Sequence, residues 1–309
     1  MTKTCGRTGD GLASGLGLGA TIGDEEGDGL GLGTATAALE VQAAPTRIAQ
    51  VATARMRPVV KIAAGRWQLE AKPERGGRIV SLRLDGEELL DQGIGVDQPT
   101  ADRFVDGGAF GWDEMVPNVD ETDTLPDHGE AWRLPWRVMR AAGIEVAMSC
   151  RGRVLPWELT RSIYLRDSLI ALYAYRNVGK EPHQAYWCAH PLFKFETGME
   201  IGVPGGAPDV ADGKSSKLFL PRGGVDGVRL RWRSGRGIEM SWDPALTPYV
   251  GVWICNGDLG GYRQIAIEPA TGGNDRPDPA APPPVLMPGE TLKWWLQIRP
   301  LEGLSFGAS

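Results

Sequence analysis

Apolar and polar residues alternate over many short stretches of the chain. Residues 67–71 and 80–84 place apolar side chains at every second position, and Asp85-Gly86 directly after them is a hairpin-turn signal. A period of two is typical of a β-strand that buries one face. Later stretches that also predict strands are 159–166, 168–177, 228–232 and 292–298.

After Met56 no stretch of about 12 residues shows the 3.6-residue period of an amphipathic helix. Many short strands separated by Gly and Pro turns indicate an all-β sandwich or barrel. We predict one domain over residues 58–302 with no internal linker, followed by a tail at 303–309. Within the domain, residues 273–289 form a long loop rich in Pro, Asp and Ala, and loops of that length are often functional.

Residues 1–57 differ from this pattern. Eleven glycines fall within the first 34 residues, but they form no GxGxxG motif and follow no strand, which argues against a dinucleotide-binding loop. The segment also lacks the basic start and continuous apolar run of a signal peptide. We predict a disordered Gly-rich head, and Met56 is a candidate for the true start of translation.

Composition and charge exclude several classes of function. The 309 residues are 42% hydrophobic, and 33 basic against 39 acidic residues give a net charge of −6. This balance argues against a nucleic-acid partner, because binding to phosphates needs a basic face. No apolar stretch reaches the roughly 18 residues of a membrane span. The four cysteines form no CxxC pair, so reduced thiols in a cytoplasmic protein are the simplest interpretation.

Two of the three histidines lie in segments rich in aromatic residues, and an isolated glutamate lies far downstream. His128 is part of segment 126–132 and His190 part of segment 186–193. An imidazole can give or take a proton near neutral pH, and a carboxylate supplies the complementary base. Because an unpaired carboxylate is costly at the end of an apolar strand, we interpret Glu268 and the two histidines as an acid–base site.

Five segments that surround these residues follow one another in a distinctive order. They are 76–82 (GGRIVSL), 108–118 (GAFGWDEMVPN), 127–132 (DHGEAW), 189–193 (AHPLF) and 267–272 (IEPATG). This succession resembles the aldose 1-epimerase (galactose mutarotase-like) superfamily over most of residues 58–302. The resemblance implies a large antiparallel β-sandwich with a carbohydrate site on a concave face. It also implies an enzyme that interconverts sugar anomers by opening and reclosing the sugar ring, without a cofactor.

The resemblance assigns a role to each of the three residues. His190 is expected to be the general acid that protonates the ring oxygen, and Glu268 the general base that takes the proton of the anomeric hydroxyl. His128 is expected to hydrogen-bond the sugar near its ring oxygen. Candidates for substrate binding are neighbouring aromatic and acidic side chains: Trp112, Asp113, Glu114, Glu130 and Trp132.

Each of these five candidates also has a structural interpretation. Trp112 and Trp132 would be stacking platforms for a sugar or part of the core. Asp113 and Glu114 would bind sugar hydroxyls, or cap a turn or pair with arginine. Glu130 would orient His128 or stabilise a turn.

The chain departs from the well-studied mutarotases in two places. Residues 111–115 stand where those enzymes carry an Asn-Arg segment, and their sugar-binding aspartate has no clear counterpart. Asp209, Asp212 and Asp226 are candidates for it. These departures indicate that the acid and base are retained while substrate recognition has changed.

Other functions remain open from the sequence. The same fold could bind a carbohydrate without turnover, or catalyse another sugar reaction; a phosphorylated sugar would need clustered arginines, for which Arg103, Arg133 and Arg222 are candidates. A metal held by His128, His190 and nearby carboxylates is less favoured, because no compact ligand triad is present, and we expect no metal. We expect a small-molecule carbohydrate as ligand, no nucleic-acid or membrane partner, and a monomer or homodimer. The third histidine, His183, is predicted to be a solvated hairpin residue.

Overall fold

The structure, a computed structural model, describes residues 59–276 and 278–302. Nineteen β-strands and no helix occur among them, which confirms the predicted all-β class. Because the described part has no helix, it also has none long and apolar enough to cross a membrane. The predicted head at 1–57 and tail at 303–309 lie outside the described residues, so the domain boundaries stay a prediction.

Nine strands form the first of two large antiparallel sheets, and we number all strands along the chain. Eight of them follow one another across the sheet, and β4 (Glu87–Glu88) is added beside β3. In order across the sheet these eight are β1 (Val60–Ala64), β2 (Trp67–Lys72), β3 (Arg78–Leu84), β5 (Trp112–Met115), β11 (Cys188–Lys194), β17 (Arg263–Ala270), β16 (Tyr249–Asn256) and β13 (Lys214–Leu220).

Eight strands form the second sheet, and two short strands pair separately. In order across the second sheet they are β12 (Glu200–Gly202), β14 (Gly227–Arg231), β15 (Gly237–Trp242), β19 (Thr291–Pro300), β9 (Leu169–Asn177), β8 (Trp157–Leu165), β7 (Glu145–Arg151) and β6 (Arg137–Ala142). The separate pair is β10 (His183–Gln184) with β18 (Val285–Leu286).

The alternating sequence pattern locates the strands to within a few residues. The stretches predicted at 159–166 and 168–177 are β8 and β9, which pair in a hairpin from Trp157 opposite Asn177 to Leu165 opposite Leu169. The turn predicted at Asp85-Gly86 joins β3 to β4, with φ of 53° and 81° at its two residues, as a type I′ turn requires.

One prediction about a single residue is wrong. His183 lies on β10 and is half-buried rather than solvated. Its imidazole Nε2 is 3.1 Å from the hydroxyl of Tyr175, because β10 pairs with β18 and turns the ring toward the second sheet.

Successive side chains of each strand point to opposite faces, and the first sheet is covered on both. In β17, Ile265 and Ile267 belong to the main core between the two sheets. Ala266 and Ala270 belong to a smaller buried cluster on the opposite face. We call this opposite face the site face, because the cavity described next lies on it.

Candidate active site

A cavity of about 210 Å³ opens on the site face of the first sheet. Its floor is formed by strands β11, β17 and β16 and the edge strand β13, and its walls by segments 103–109 and 119–128 together with Leu259 and Asp275. The residues that line it are Arg103, Phe104, Val105, Ala109, Val119, Asp120, Asp127, His128, His190, Lys217, Trp253, Leu259, Gln264, Glu268 and Asp275.

His190 and Glu268 meet on neighbouring strands. In the pairing of β11 with β17, Cys188 lies opposite Ala270 and Leu192 opposite Ala266, and His190 and Glu268 lie midway between these two pairs. The imidazole Nε2 is 3.6 Å from the carboxylate Oε1, and the two side chains are 7% and 1% exposed. Both His190 Nδ1 and Glu268 Oε1 are buried, and among the described residues neither atom has a hydrogen-bond partner.

His128 completes the set from the other wall. Its Nδ1 is 3.0 Å from Oδ1 of Asp127. The backbone of His128 has a φ of 56°, a conformation that residues other than glycine rarely adopt. Phe104 stacks on the His128 ring with centroids 4.7 Å apart and meets the His190 ring edge-on at 5.3 Å. The two imidazoles are 5.6 Å apart at 88°. Thus the structure brings together all three residues proposed from the sequence for acid–base chemistry.

Burial shifts the pKa values of the central pair in opposite directions. The pKa of His190 is held well below its usual 6.5, first by burial and then by the nearby His128, Lys217 and Arg78. The pKa of Glu268 is raised above 4.5, because burial outweighs the opposing effect of Lys217. A protonated His190 is therefore a stronger acid than an ordinary imidazolium, and an ionised Glu268 a stronger base than an ordinary carboxylate.

Lys217 and Asp275 are two of the charged cavity residues that the sequence pattern does not single out. The ammonium Nζ of Lys217 lies 2.6 Å from Oε2 of Glu268 and 2.6 Å from Oδ2 of Asp275. Asp275 belongs to the long loop 273–289 that was predicted to be functional. Lys217 is not part of a recognisable sequence motif. The local pattern of its strand does not indicate that its partner, Glu268, lies 51 residues further along the chain.

Trp112 and Glu114 do not line the cavity, because their side chains point into the space between the sheets. Trp112 is fully buried in the main core. Glu114 accepts hydrogen bonds from Arg161 and Tyr173 of the second sheet and from the indole of Trp187. Both side chains therefore have structural roles in joining the two sheets.

Asp113 lies on the site face but below the cavity. It pairs across the strands with His190, and its carboxylate is 2.7 Å from Nη2 of Arg78, with both side chains fully buried. Phe104 lies over the Arg78 guanidinium at 5.9 Å. Asp113 thus forms a buried ion pair and does not line the cavity.

Glu130 and Trp132 are also structural in position. Both oxygens of Glu130 accept hydrogen bonds from the backbone N–H groups of Arg153 and Val154, so Asp127 and not Glu130 contacts His128. Trp132 is fully buried and donates its indole N–H to the backbone carbonyl of Asp127. The aromatic side chains that reach the cavity are instead Phe104 and Trp253.

The aspartates considered as sugar ligands lie elsewhere. Asp209, Asp212 and Asp226 are exposed and do not line the cavity. Arg103 lines it, whereas Arg133 lies over Trp132 and Arg222 over Tyr249. The three arginines therefore form no cluster.

In the part of the chain that the structure describes, no three His, Cys, Asp or Glu side chains converge as a metal site would require. Cys150, Cys188 and Cys255 are buried free thiols.

Solved structures with the same architecture identify the fold. The protein Slr1438 from Synechocystis sp. PCC 6803 has a TM-score of 0.63 and 16% sequence identity, with 82% of this chain and 99% of that chain covered. A galactose mutarotase-like protein from Lactobacillus casei has a TM-score of 0.61 and 14% identity, covering 79% and 100%. A galactose mutarotase related enzyme from Lactobacillus acidophilus has a TM-score of 0.59 and 15% identity, covering 79% and 97%.

The chain has a galactose mutarotase-like fold. At these identities the likeness establishes the fold alone, and it confirms the large antiparallel β-sandwich that the resemblance implied. No family model matches the sequence, and no curated protein matches it.

Proposed function

We propose that the protein interconverts the α and β anomers of an aldose in this cavity. The observation that carries the proposal is the His190–Glu268 pair: an imidazole and a carboxylate 3.6 Å apart, both buried, at the floor of a cavity on the site face. Binding alone does not need a matched acid and base. The same fold in a galactose mutarotase related enzyme supports the assignment.

The proposed reaction moves two protons. Glu268 takes the proton of the anomeric hydroxyl, the bond between C1 and the ring oxygen breaks, and C1 becomes an aldehyde. The ring oxygen receives its proton from the protonated form of His190, which the lowered pKa makes the minor form at neutral pH. Rotation about the C1–C2 bond presents the other face of the aldehyde. Reclosure runs both transfers backwards, so the pair ends a turnover with the protons it had at the start. His128 hydrogen-bonds the sugar near the ring oxygen.

The charges around the cavity favour an uncharged sugar. Four lining residues are acidic and two are basic, and one of the two, Lys217, is already paired with two carboxylates. A phosphorylated sugar is negatively charged and would be repelled by the excess of acidic residues in the cavity. The cavity is also small for a ligand pocket, since typical pockets measure roughly 300–1,000 Å³, which favours a single sugar ring.

The test is exchange NMR on a panel of unphosphorylated aldoses at equilibrium. Saturation of one anomeric proton should transfer to the other anomer when the protein is present, and the transfer should disappear with His190→Ala. The matched control is His183→Ala, which removes a histidine outside the cavity and should leave the transfer intact. Binding of a sugar without any exchange would contradict the proposal and favour a binding protein.

A further inference from the structure

Lys217 acts across an intervening strand. It lies on the edge strand β13, and Glu268 lies on β17, two strands away. On β16 between them, Gly251 is paired with Glu268. A Cβ atom at residue 251 would lie 2.9 Å from Cε of Lys217 and 3.1 Å from Oε2 of Glu268. The ammonium group can reach the carboxylate because residue 251 has no side chain.

Lys217 is held as a cation. Its side chain is 18% exposed, and carboxylate oxygens of Glu268 and Asp275 lie 2.6 Å from its Nζ. Burial alone would lower the pKa of the ammonium, but the two carboxylates outweigh burial and raise the pKa above its usual 10.5. A lysine in this state is a poor nucleophile and a poor base, so it contributes charge and position.

The contact with Lys217 determines which oxygen of Glu268 is free. Oε2 accepts the hydrogen bond from the ammonium, whereas Oε1 faces His190 and has no hydrogen-bond partner in the described part of the chain. The carboxylate cannot rotate without breaking a charge-assisted bond, which is among the stronger hydrogen bonds in proteins. The orientation of the proposed base is therefore set by Lys217.

Asp275 extends this constraint to the opposite wall. Its backbone carbonyl accepts hydrogen bonds of 2.8 Å from the N–H groups of Val119 and Asp120, and the N–H of His128 donates to the carbonyl of Val119 at 2.6 Å. Asp275 itself has a φ of 60°, which is costly outside glycine and persists only where surrounding contacts enforce it. The ion pair with Lys217 and these backbone bonds are such contacts.

We propose that Lys217 is the positioning residue of the proposed base: it directs Oε1 of Glu268 toward His190 and, through Asp275, fixes the segment that carries His128. The inference rests on the proposed function, since it takes Glu268 as the base. Lys217, and Gly251 that leaves room for it, thus belong to the proposed site together with the two histidines and Glu268.

Two substitutions of opposite sign test the proposal. Lys217→Met removes the cation that lowers the pKa of Glu268, whereas Asp275→Asn removes an anion that raises it. The Glu268 carboxyl should then titrate at higher pH in the first variant and at lower pH in the second. The ionisable groups that act on Glu268 or are acted on by it are Lys217, Asp275, His128, His190, Cys188 and Tyr186, and the last four are unchanged in both variants.

The measurement is ¹³C NMR of the glutamate carboxyls as a function of pH, with the Glu268 signal assigned by its absence in Glu268→Gln. The pH optimum of anomer exchange should move in the same two directions. The kcat of Lys217→Met should fall about tenfold or more, which is part of the rate enhancement that a positioned proton acceptor provides. Lys217→Arg should restore most of the rate. Lys214→Met, an exposed lysine on the same strand, is the control and should change neither quantity.

Titration of Glu268 at the wild-type pH in both variants would overturn the proposal. If Lys217→Met does not fold, Gly251→Ala decides: it keeps every charge but moves the Lys217 ammonium away from Glu268, so the Glu268 carboxyl should titrate at higher pH than in wild type. The NMR titration needs no substrate. Absence of anomer exchange in the wild-type protein would therefore refute the proposed function, while the titration would still show whether Lys217 controls Glu268.

Discussion

Two glutamates are buried on opposite faces of the first sheet, and their oxygens are satisfied differently. Glu114 points between the sheets and accepts hydrogen bonds from Arg161, Tyr173 and Trp187 on its two oxygens. Glu268 points to the site face, where one oxygen accepts a hydrogen bond from Lys217 and the other has no hydrogen-bond partner among residues 59–276 and 278–302. Burial raises the pKa of both carboxyls, so the pKa direction alone does not distinguish them.

The two glutamates differ in how many of their carboxylate oxygens have hydrogen-bond partners. A buried polar group with all its partners rigidifies the fold, whereas a buried atom without a partner beside a cavity needs another explanation. We interpret Glu114 as a structural link between the sheets and Glu268 as a group kept free for a ligand. The four substitutions below test this comparison.

The largest effect is expected for Glu268→Gln, the change that removes the proposed base. The rate of anomer exchange should fall by about 10²–10⁴-fold, the usual contribution of a positioned proton acceptor. The melting temperature should change little, because the amide keeps the shape of the side chain. Exchange NMR and a thermal melt measure the two quantities, and wild-type activity would remove Glu268 from the mechanism.

Arg161→Met instead removes the ion pair of Glu114, the structural glutamate. It leaves the Glu114 carboxylate buried without its cation, which typically costs about 3–5 kcal/mol of unfolding free energy. Urea unfolding measures that loss. The rate per folded molecule should stay near wild type, since Arg161 lies between the sheets; a stable but inactive variant would show that the two faces are coupled.

Gly251→Ala should reduce activity without changing any charge. The added methyl group would displace Lys217 from Glu268 and so misplace the proposed base, and a misplacement of about 1 Å can cost about 100-fold in rate. The control is Gly202→Ala, at a strand glycine in the second sheet where an added Cβ lies 3.2 Å from the nearest atom. Equal kinetics for both variants would contradict the account of Lys217.

The smallest effect concerns the pH dependence of stability. The native pKa of His190 is lowered, so below about pH 6.5, the ordinary value, the unfolded chain binds a proton that native His190 does not. Native stability therefore falls as pH decreases from about 6.5 toward the lowered native pKa. In His190→Gln the melting temperature should fall less between pH 7 and pH 5.5 than in wild type, and an equal fall would contradict a neutral buried His190.

Local sequence pattern was sufficient to predict the strands but not their neighbours. The alternation in 159–166 and 168–177 located β8 and β9 because each strand buries its own alternate side chains, and Asp85-Gly86 located a turn because few residues adopt positive φ. The pairings of β11 with β17 and of β13 with β16 join segments distant in sequence, and no local pattern encodes them.

The same limit explains which site residues could be predicted. A period of two places Trp112 and Glu114 on one face and Asp113 on the other, but the direction of the second sheet is set by strands far along the chain. His128, His190 and Glu268 were found because their segments resemble a known family. Lys217 has no such segment, and its role depends on the sheet order.

The glycine at residue 251 has a consequence for how such sites diverge in evolution. A lysine at position 217 can reach the glutamate only if residue 251 on the intervening strand has no side chain, so the contact needs both residues. Homologous sequences should therefore carry the lysine and the glycine together or lack both. Where the glycine is replaced, we expect another residue at position 217 and a different way of orienting the glutamate.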